Sequence, residues 1–499
     1  MARCNKCNRI GHFARVCLRP AVSQKSNESK LRDQERMTTF IRRKTAEYTF
    51  PFYNEDDAFF KKNQTNNSDI SSQSITDALH NYSTEFNCKI TKIKPLQLQA
   101  IQTLLSKKDC ICALPTGYGK SFIYEILPFF VPKCLVIVIV PLNAIIEQQT
   151  VKLSGQSFSL SMNIDTIDLS NTKYFFFHPE TVLNSPEINK LFRSSQFQEY
   201  DKFLVIDEAH CVIEWGKEFR KDFKRIYQLK SLVSCPILAL SATITRAGQK
   251  EIAKCLHMTN FEVVCASPAK DNIKMIVKNR PSPNSKGNTS LTPYDYIFVP
   301  VLQQLKSELD NFGITIIYCK TMNWIGYGYE LAKEVLGDEF YSGAPSEKTT
   351  RVVMYHSSME GPDGKLKKHI VQTLQEEESA IRLIFASVAL GMGADLRHVK
   401  RVIHAGPPTS LETYVQEIGR AGRSDIDAQA ILFFNKSDIA SAHMTREMKE
   451  YCVNTNTCRR SLINQYFGFE SEPEKTFLVC CDLCNGELGI EYDFSNLST

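Results

Sequence analysis

An apolar stretch running into LPTGYGKS, Leu114 to Ser121, constrains this chain more than any other feature. A tight loop built on glycines brings several backbone N–H groups together, an arrangement that suits a polyphosphate. Gly117 and Gly119 permit the turn, Lys120 adds a point charge near the β and γ phosphates, and Ser121 offers a hydroxyl to Mg²⁺. Leu114 stands where such loops usually begin with glycine. Thr116, Gly117, Tyr118, Gly119, Lys120 and Ser121 are the candidate nucleotide contacts.

Two further strings follow in order. FLVIDEAH, Phe203 to His210, reads as a buried strand ending in two carboxylates, the place where parallel strands deliver ligands. Asp207 is expected to hold Mg²⁺ through its water shell, and Glu208 to orient and deprotonate an attacking water. QEIGRAGR, Gln416 to Arg423, sets Arg420 and Arg423 three apart, so on a helix start they share a face and can meet a γ phosphate as its charge develops. They reach a nucleotide on the first loop only if two domains close on it. That implies a nucleotide-driven motor rather than a simple binder.

The chain has 499 residues, 43% hydrophobic and 23% charged, enough for two or three domains with full cores. Seventeen cysteines without a secretory leader point to a reducing compartment, the nucleus or nucleoid, where thiols stay free or bind metal. Pro128, Pro132, Lys133 and Pro141 interrupt the apolar stretch Ile126 to Ile146, which is read as a buried strand with its flanks and not as a membrane span. Residues 1 to 50 hold twelve Lys and Arg against four Asp and Glu, a net of +8, so with +5 overall the remainder carries −3. An anionic partner is therefore expected at the N-terminal arm.

That arm opens with CNKCNRIGHFARVC. Cys4, Cys7, His12 and Cys17 follow the spacing CxxCx4Hx4C, and a segment this short has no apolar core, so zinc is the expected source of order over residues 1–20. It resembles the retroviral-type zinc knuckle of gag proteins, which implies single-strand binding, with Phe13 to stack on bases and Arg3, Arg9 and Arg15 for phosphate. Asn5 stands where knuckles often carry an aromatic. Residues 21–75 read as a basic and polar linker, with Lys61 to Ser74 polar and aperiodic.

From residue 76 strands and helices alternate. CLVIVIV, FLVIDE and PILALSAT suggest a first parallel sheet; TIIYCK, LIFASV, RVIHAG and AILFF suggest a second. The expected fold is α/β, with two RecA-like parallel-sheet lobes over residues 76–266 and 267–445 and a boundary near Ser267 and Pro268. A small C-terminal helical zinc subdomain over 446–499 completes it, with Pro281 to Ser290 as an exposed loop.

With these segments in hand, residues 76 to 487 resemble the RecQ family of superfamily 2 DNA helicases. The carrying segments are KPLQLQAIQ (Lys94 to Gln102), LPTGYGKS, VIVPLNAIIEQQ (Val138 to Gln149), VIDEAHCVIEWGKEFRKDF (Val205 to Phe223), ALSAT (Ala239 to Thr243), YHSSM (Tyr355 to Met359), FASVALGMGADL (Phe385 to Leu396) and QEIGRAGR. The resemblance implies ATP, Mg²⁺ and 3′ to 5′ movement on single-stranded and partly duplex DNA. It makes Gln97 an adenine reader beside Lys94, where the family usually has arginine. Ser241 and Thr243 become coupling residues, joined by His210. Trp215, Phe219 and Arg220 match an aromatic-rich loop that contacts single strands. Gln416, Arg420 and Arg423 join Lys120, Asp207 and Glu208 in catalysis.

CRRSLINQYFGFE (Cys458 to Glu470) and CCDLC (Cys480 to Cys484) resemble the zinc subdomain that follows the RecQ lobes, with Cys458, Cys480, Cys481 and Cys484 as candidate ligands. The family spaces its cysteines, whereas Cys480 and Cys481 are adjacent, so Cys452 is the fallback ligand. No winged-helix region is expected beyond, which makes DNA-stimulated ATP hydrolysis a firmer expectation than robust unwinding. Two alternatives remain: an RNA-directed ATPase using the knuckle, and a mobile-element-derived binding protein with a vestigial motor. No membrane contact is expected, and the residues set no oligomeric state.

Overall fold

Runs such as DCICA and CLVIVI are apolar at nearly every position, so they form stable strands only where both faces are covered. The computed structural model, which describes residues 70–159, 167–214, 225–281, 292–359, 365–376, 379–391, 396, 398–423, 426–470 and 480–484, satisfies that demand twice. The knuckle residues Cys4, Cys7, His12, Phe13 and Cys17, the expected loop at 281–290 beyond Pro281, and Trp215, Phe219 and Arg220 lie outside the described residues.

The first sheet has seven strands: β1 (Asp109–Ala113), β2 (Cys134–Ile139), β3 (Ser157–Ser159), β4 (Tyr174–Phe177), β5 (Asp201–Ile206), β6 (Ile237–Ser241) and β7 (Phe261–Cys265). They lie in the order β3-β4-β2-β5-β6-β1-β7, every pairing parallel. Alternate side chains enter opposite cores, Leu135, Ile137, Leu204 and Ile206 on one face and Val136, Val138, Phe203 and Val205 on the other. The second sheet has six: β8 (Ile273–Asn279), β9 (Thr315–Tyr318), β10 (Val352–Tyr355), β11 (Leu383–Ala386), β12 (Arg401–His404) and β13 (Ala428–Phe434). Their order is β10-β11-β9-β12-β13-β8, again all parallel. Ile316, Ile384 and Val402 face one core and Ile317, Leu383, Phe385 and Ile403 the other.

The apolar stretch Ile126 to Ile146 resolves into a four-residue helix, β2 and the start of the helix Asn143–Lys152. No helix among the described residues is long and apolar enough to cross a membrane. Residues 266–272, which include Ser267 and Pro268, carry the chain from β7 to β8. The CCDLC segment then returns to the open side of β8: Met275 N–H donates to Cys480 O (3.1 Å), Asp482 N–H to Met275 O (3.0 Å), and Met275 pairs in parallel with Cys481. An edge of the second sheet is thereby covered.

Candidate functional site

Helix α1 (Pro95–Leu105) and helix α2 (Lys120–Glu125) flank the phosphate loop. Gly117 and Gly119 take φ of +81° and +88°, a conformation that L side chains resist, and Gly119 caps α2. A Cβ on Gly119 would stand 2.8 Å from Gln97 Nε2. That amide donates to Tyr118 O (3.1 Å) and Gly119 O (2.9 Å), while Gln97 Oε1 accepts from Lys94 N–H (2.9 Å). The Lys94 ammonium sits 4.7 Å over the Tyr118 ring. Gln97 and Lys94 thus lie against the phosphate loop. At the far end of α2, the wholly buried Glu125 accepts from Tyr82 Oη (2.7 Å) and Lys152 Nζ (2.5 Å), which fixes the helix carrying Lys120 and Ser121. Lys120 Nζ donates to Leu114 O (3.1 Å) and Pro115 O (3.4 Å). Burial lowers the Lys120 pKa, against the pull of Glu208 and Asp207.

Strand β5 delivers Asp207 and Glu208 beside this lysine. Burial and then repulsion from Glu208 raise the Asp207 carboxyl to about 7, opposed by Lys120. Glu208 sits at φ +50°, a strain of order 1–3 kcal/mol, and its N–H donates to Asp207 Oδ1 (3.0 Å). Glu208 Oε2 is buried and makes no hydrogen bond among the described residues; His210 Nδ1 lies 3.4 Å from it. The same ring nitrogen is 3.2 Å from Ser241 Oγ, whose hydroxyl reaches Thr243 O (3.4 Å). Ser241 pairs with Ala113 at the root of the phosphate loop, and Leu114 N–H donates to Ser241 O (3.2 Å). Two adjacent carboxylates, one with an orphaned oxygen, fit a hard divalent cation held through oxygen and water.

The arginines come from the other lobe. Helix α3 (Leu411–Ile418), capped by the Ser410 hydroxyl accepting from Thr413 N–H (3.2 Å), carries the half-buried Gln416 and ends before them. Arg420 and Arg423 therefore leave a turn after a helix, not a helix start, because Gly419 ends α3 and Gly422 bends the chain at φ +64°. Thr116 Oγ1 donates to Gly419 O (2.6 Å), and a Cβ on Gly117 would lie 3.5 Å from Arg423 Cγ, so the arginine loop rests on the phosphate loop. Arg420 is buried beside the Tyr318 hydroxyl, which burial pushes up. Behind it, His404 Nε2 and Glu417 Oε2 form a buried pair at 2.8 Å, and the His404 ring stacks on Tyr318.

Sequence reasoning missed Lys270 and Asn272. Lys270 Nζ donates to Gly419 O (2.7 Å) and Ala421 O (3.1 Å), and Asn272 Nδ2 to Gly422 O (2.8 Å) and Ile426 O (2.7 Å). In SPAKDN both residues read as solvated polar positions, and no spacing marks them.

The C-terminal cysteines converge. Cys458, Cys480, Cys481 and Cys484 hold their sulfurs within 4.8 Å of one another. The separations 458–480 (3.5 Å), 458–481 (4.0 Å) and 481–484 (3.5 Å) bracket the roughly 3.8 Å edge of a tetrahedron with about 2.3 Å Zn–S bonds. Hydrogen bonds from Cys481 and the other thiols hold the Cys458 thiol well below its usual range. Cys452, the fallback ligand, is buried in the core of the second lobe and takes no part, and burial pushes its thiol up to about 12. Although adjacent, Cys480 and Cys481 both bring their sulfurs to Cys458, at the point where the chain pairs with Met275.

Three families match along the chain: DEAD/DEAH box helicase over residues 94–252, helicase conserved C-terminal domain over 300–425, and RecQ zinc-binding over 423–485. ATP-dependent DNA helicase Q1 of Rattus norvegicus is 28% identical over 437 residues, 80% of this chain and 64% of the relative. ATP-dependent DNA helicase RecQ of Haemophilus influenzae is 29% identical over 416 residues, 78% of this chain and 60% of the relative. Across these three matches the chain is similar to RecQ-family helicases. It spans less than two thirds of the length of these RecQ relatives. In fold it is similar to the DUF1998 helicase MrfA bound to DNA (TM-score 0.57, 18% identical, 74% of this chain and 52% of the other). Mss116p bound to ssRNA and AMP-PNP is comparable (TM-score 0.55, 16% identical, 83% and 82%). The RecQ zinc-binding match takes in all four converging cysteines, and the two helicase matches take in both loops of the cleft.

Proposed function

We propose that this chain is a RecQ-family ATP-dependent 3′ to 5′ DNA helicase that couples ATP hydrolysis to movement on single-stranded DNA and to duplex unwinding. The observation that carries the reading is the seating of the arginine loop on the phosphate loop, Thr116 Oγ1 to Gly419 O at 2.6 Å. Closing the lobes and completing the site are then one event. The loop N–H groups and Lys120 take the phosphates, with Lys120 leaving the carbonyls of Leu114 and Pro115 to do so. Asp207 and Ser121 hold Mg²⁺, which neutralises phosphate charge when bound. Glu208 orients the attacking water and accepts its proton. Arg420 and Arg423 meet the charge that develops at the γ phosphate, an effect worth about 10³ to 10⁵ in rate, or roughly 4–7 kcal/mol.

Contacts from Glu208 through His210 to Ser241 and Thr243 give a route by which a strand on the outer face of the lobes can bias the carboxylate. Trp215, Phe219 and Arg220 follow the DEAH turn in sequence and are the residues proposed to touch that strand. Zinc is assigned to the four-thiol cluster, and a second zinc to Cys4, Cys7, His12 and Cys17, whose knuckle adds affinity for single strands of DNA. A chain acting on DNA works in the nucleus or nucleoid.

The test is ATP hydrolysis by the purified chain alone, with single-stranded DNA and with matched RNA, against Glu208→Gln as the blank. Greater stimulation by DNA supports the reading, and tailed duplexes then fix polarity. Greater stimulation by RNA moves the substrate to RNA. A rate no higher than the blank under all conditions overturns the motor.

A further inference from the structure

We propose that Lys270 and Asn272, in the segment joining the lobes, are positioning residues for Arg420 and Arg423, and that Arg460 of the four-thiol subdomain sets that segment in place. The proposal rests on the ATP-hydrolysis reading above.

The arginine loop has two glycines, Gly419 and Gly422, and so little intrinsic stiffness. Four of its carbonyls are held from outside by two side chains: Gly419 O and Ala421 O by Lys270, Gly422 O and Ile426 O by Asn272. Gly419 O also accepts from Thr116, so the phosphate loop, the joining segment and the arginine loop meet at one oxygen. The Lys270 ammonium lies 3.9 Å from where a Gly117 Cβ would stand, within the cleft itself.

The joining segment is held in turn. Helix α4 (Arg459–Phe467) begins directly after the thiol residue Cys458. From it, Arg460 Nη2 donates to Asp271 O (3.2 Å) and Ile273 O (3.0 Å), the carbonyls on either side of Asn272. Asn464 Oδ1 accepts from Ser267 Oγ (2.5 Å). Arg459 makes a two-point contact with Asp482, between the clustered cysteines (2.5 and 2.9 Å). Helix α4, tied to the thiol cluster through Arg459, thus holds the joining segment through Arg460, and that segment in turn holds the carbonyls flanking the two arginines. Displacing a catalytic group by about 1 Å costs on the order of 10² in rate, so slack anywhere along these contacts is read out as slower chemistry.

The test measures DNA-stimulated ATP hydrolysis and, separately, affinity for a fluorescent non-hydrolysable ATP analogue, on full-length Lys270→Met, Lys270→Arg, Asn272→Ala and Arg460→Gln. Lys270→Met and Asn272→Ala are expected to lower kcat by about 10²-fold. KM and analogue affinity stay within about threefold, because the interaction acts on the transition state. Lys270→Arg, which keeps the cation and its donors, recovers most of the loss. Arg460→Gln lowers kcat by about tenfold at full zinc content. Unchanged kcat in Lys270→Met and Asn272→Ala overturns the proposal. So does a joint loss of kcat, analogue affinity and melting temperature, which would assign these residues to the fold. Failure of the underlying reading is separate, since it appears as absent turnover in the unaltered chain and removes the ground for both.

Discussion

The phosphate loop and the arginine loop meet in one cleft, yet they are built in opposite ways. The first takes its turn from its own residues, Gly117 and Gly119 at positive φ with α2 following at once, and the nearby Gln97 amide only braces it through Tyr118 O and Gly119 O. The second owes its place to others, with Thr116, Lys270 and Asn272 donating to its carbonyls. A ground-state binding element is best preformed, whereas a group needed only in the transition state can be delivered by closure. Local encoding serves the first purpose and remote restraint the second.

The sharpest way to break this comparison sets Lys120→Ala beside Arg423→Ala. Arg423→Ala is expected to lower kcat by about 10³ to 10⁵ while analogue affinity holds, and Lys120→Ala to abolish turnover and weaken binding as well. Equal losses of affinity in nucleotide titrations would erase the distinction between the loops. Cys481→Ser comes next: zinc measured by elemental analysis should be lost, and the melting temperature should fall, because the binding free energy of a structural metal is folding free energy. If kcat stays at its original value in that variant, the arginine loop does not depend on the thiol subdomain.

Gly119→Ala probes the preformed loop. Forcing a side chain to φ +88° and within 2.8 Å of Gln97 should cost of order 1–3 kcal/mol and weaken analogue binding by about tenfold. Binding equal to the unaltered chain would show that the loop adapts rather than being preformed. The smallest effect belongs to Cys452→Ala, expected to lose about 1 kcal/mol of stability in thermal melts at unchanged zinc content. Loss of zinc would return Cys452 to the ligand set.

Much of the fold was legible because buried parallel strands must be apolar on both faces, and CLVIVI, FLVI, ILALS, TIIY, LIFA and RVIH declare themselves that way. DCICA, SFS, YFFF, FEVVC, IKMIVKN and VVMY went unnamed: SFS has only three residues, IKMIVKN carries two lysines, and YFFF is as apolar and as long as strands that were named. In the site, Asp207 and Glu208 were legible because they directly follow the apolar strand FLVI, and Lys120 because it follows the glycines of the phosphate loop. The helix-start reading of Arg420 and Arg423 was not sustained, because helix direction there depends on Gly419 ending α3 rather than opening a helix.

The sequence by itself determined the chemistry available: a glycine loop for phosphate, paired carboxylates after a buried strand, two arginines, and thiols in number enough for a metal. Those follow from local composition, since glycine's freedom, strand burial and the donor character of a side chain need no distant partner. Only the tertiary structure decided which of these groups meet. It placed Thr116 against Gly419, chose Cys480 over Cys452 as the fourth thiol, and drew Lys270, Asn272 and Arg460 into the frame of the arginine loop. The physical reason is that these contacts run from side chains to backbone carbonyls, which every residue carries alike, so no residue pattern marks the acceptor until the chain has folded.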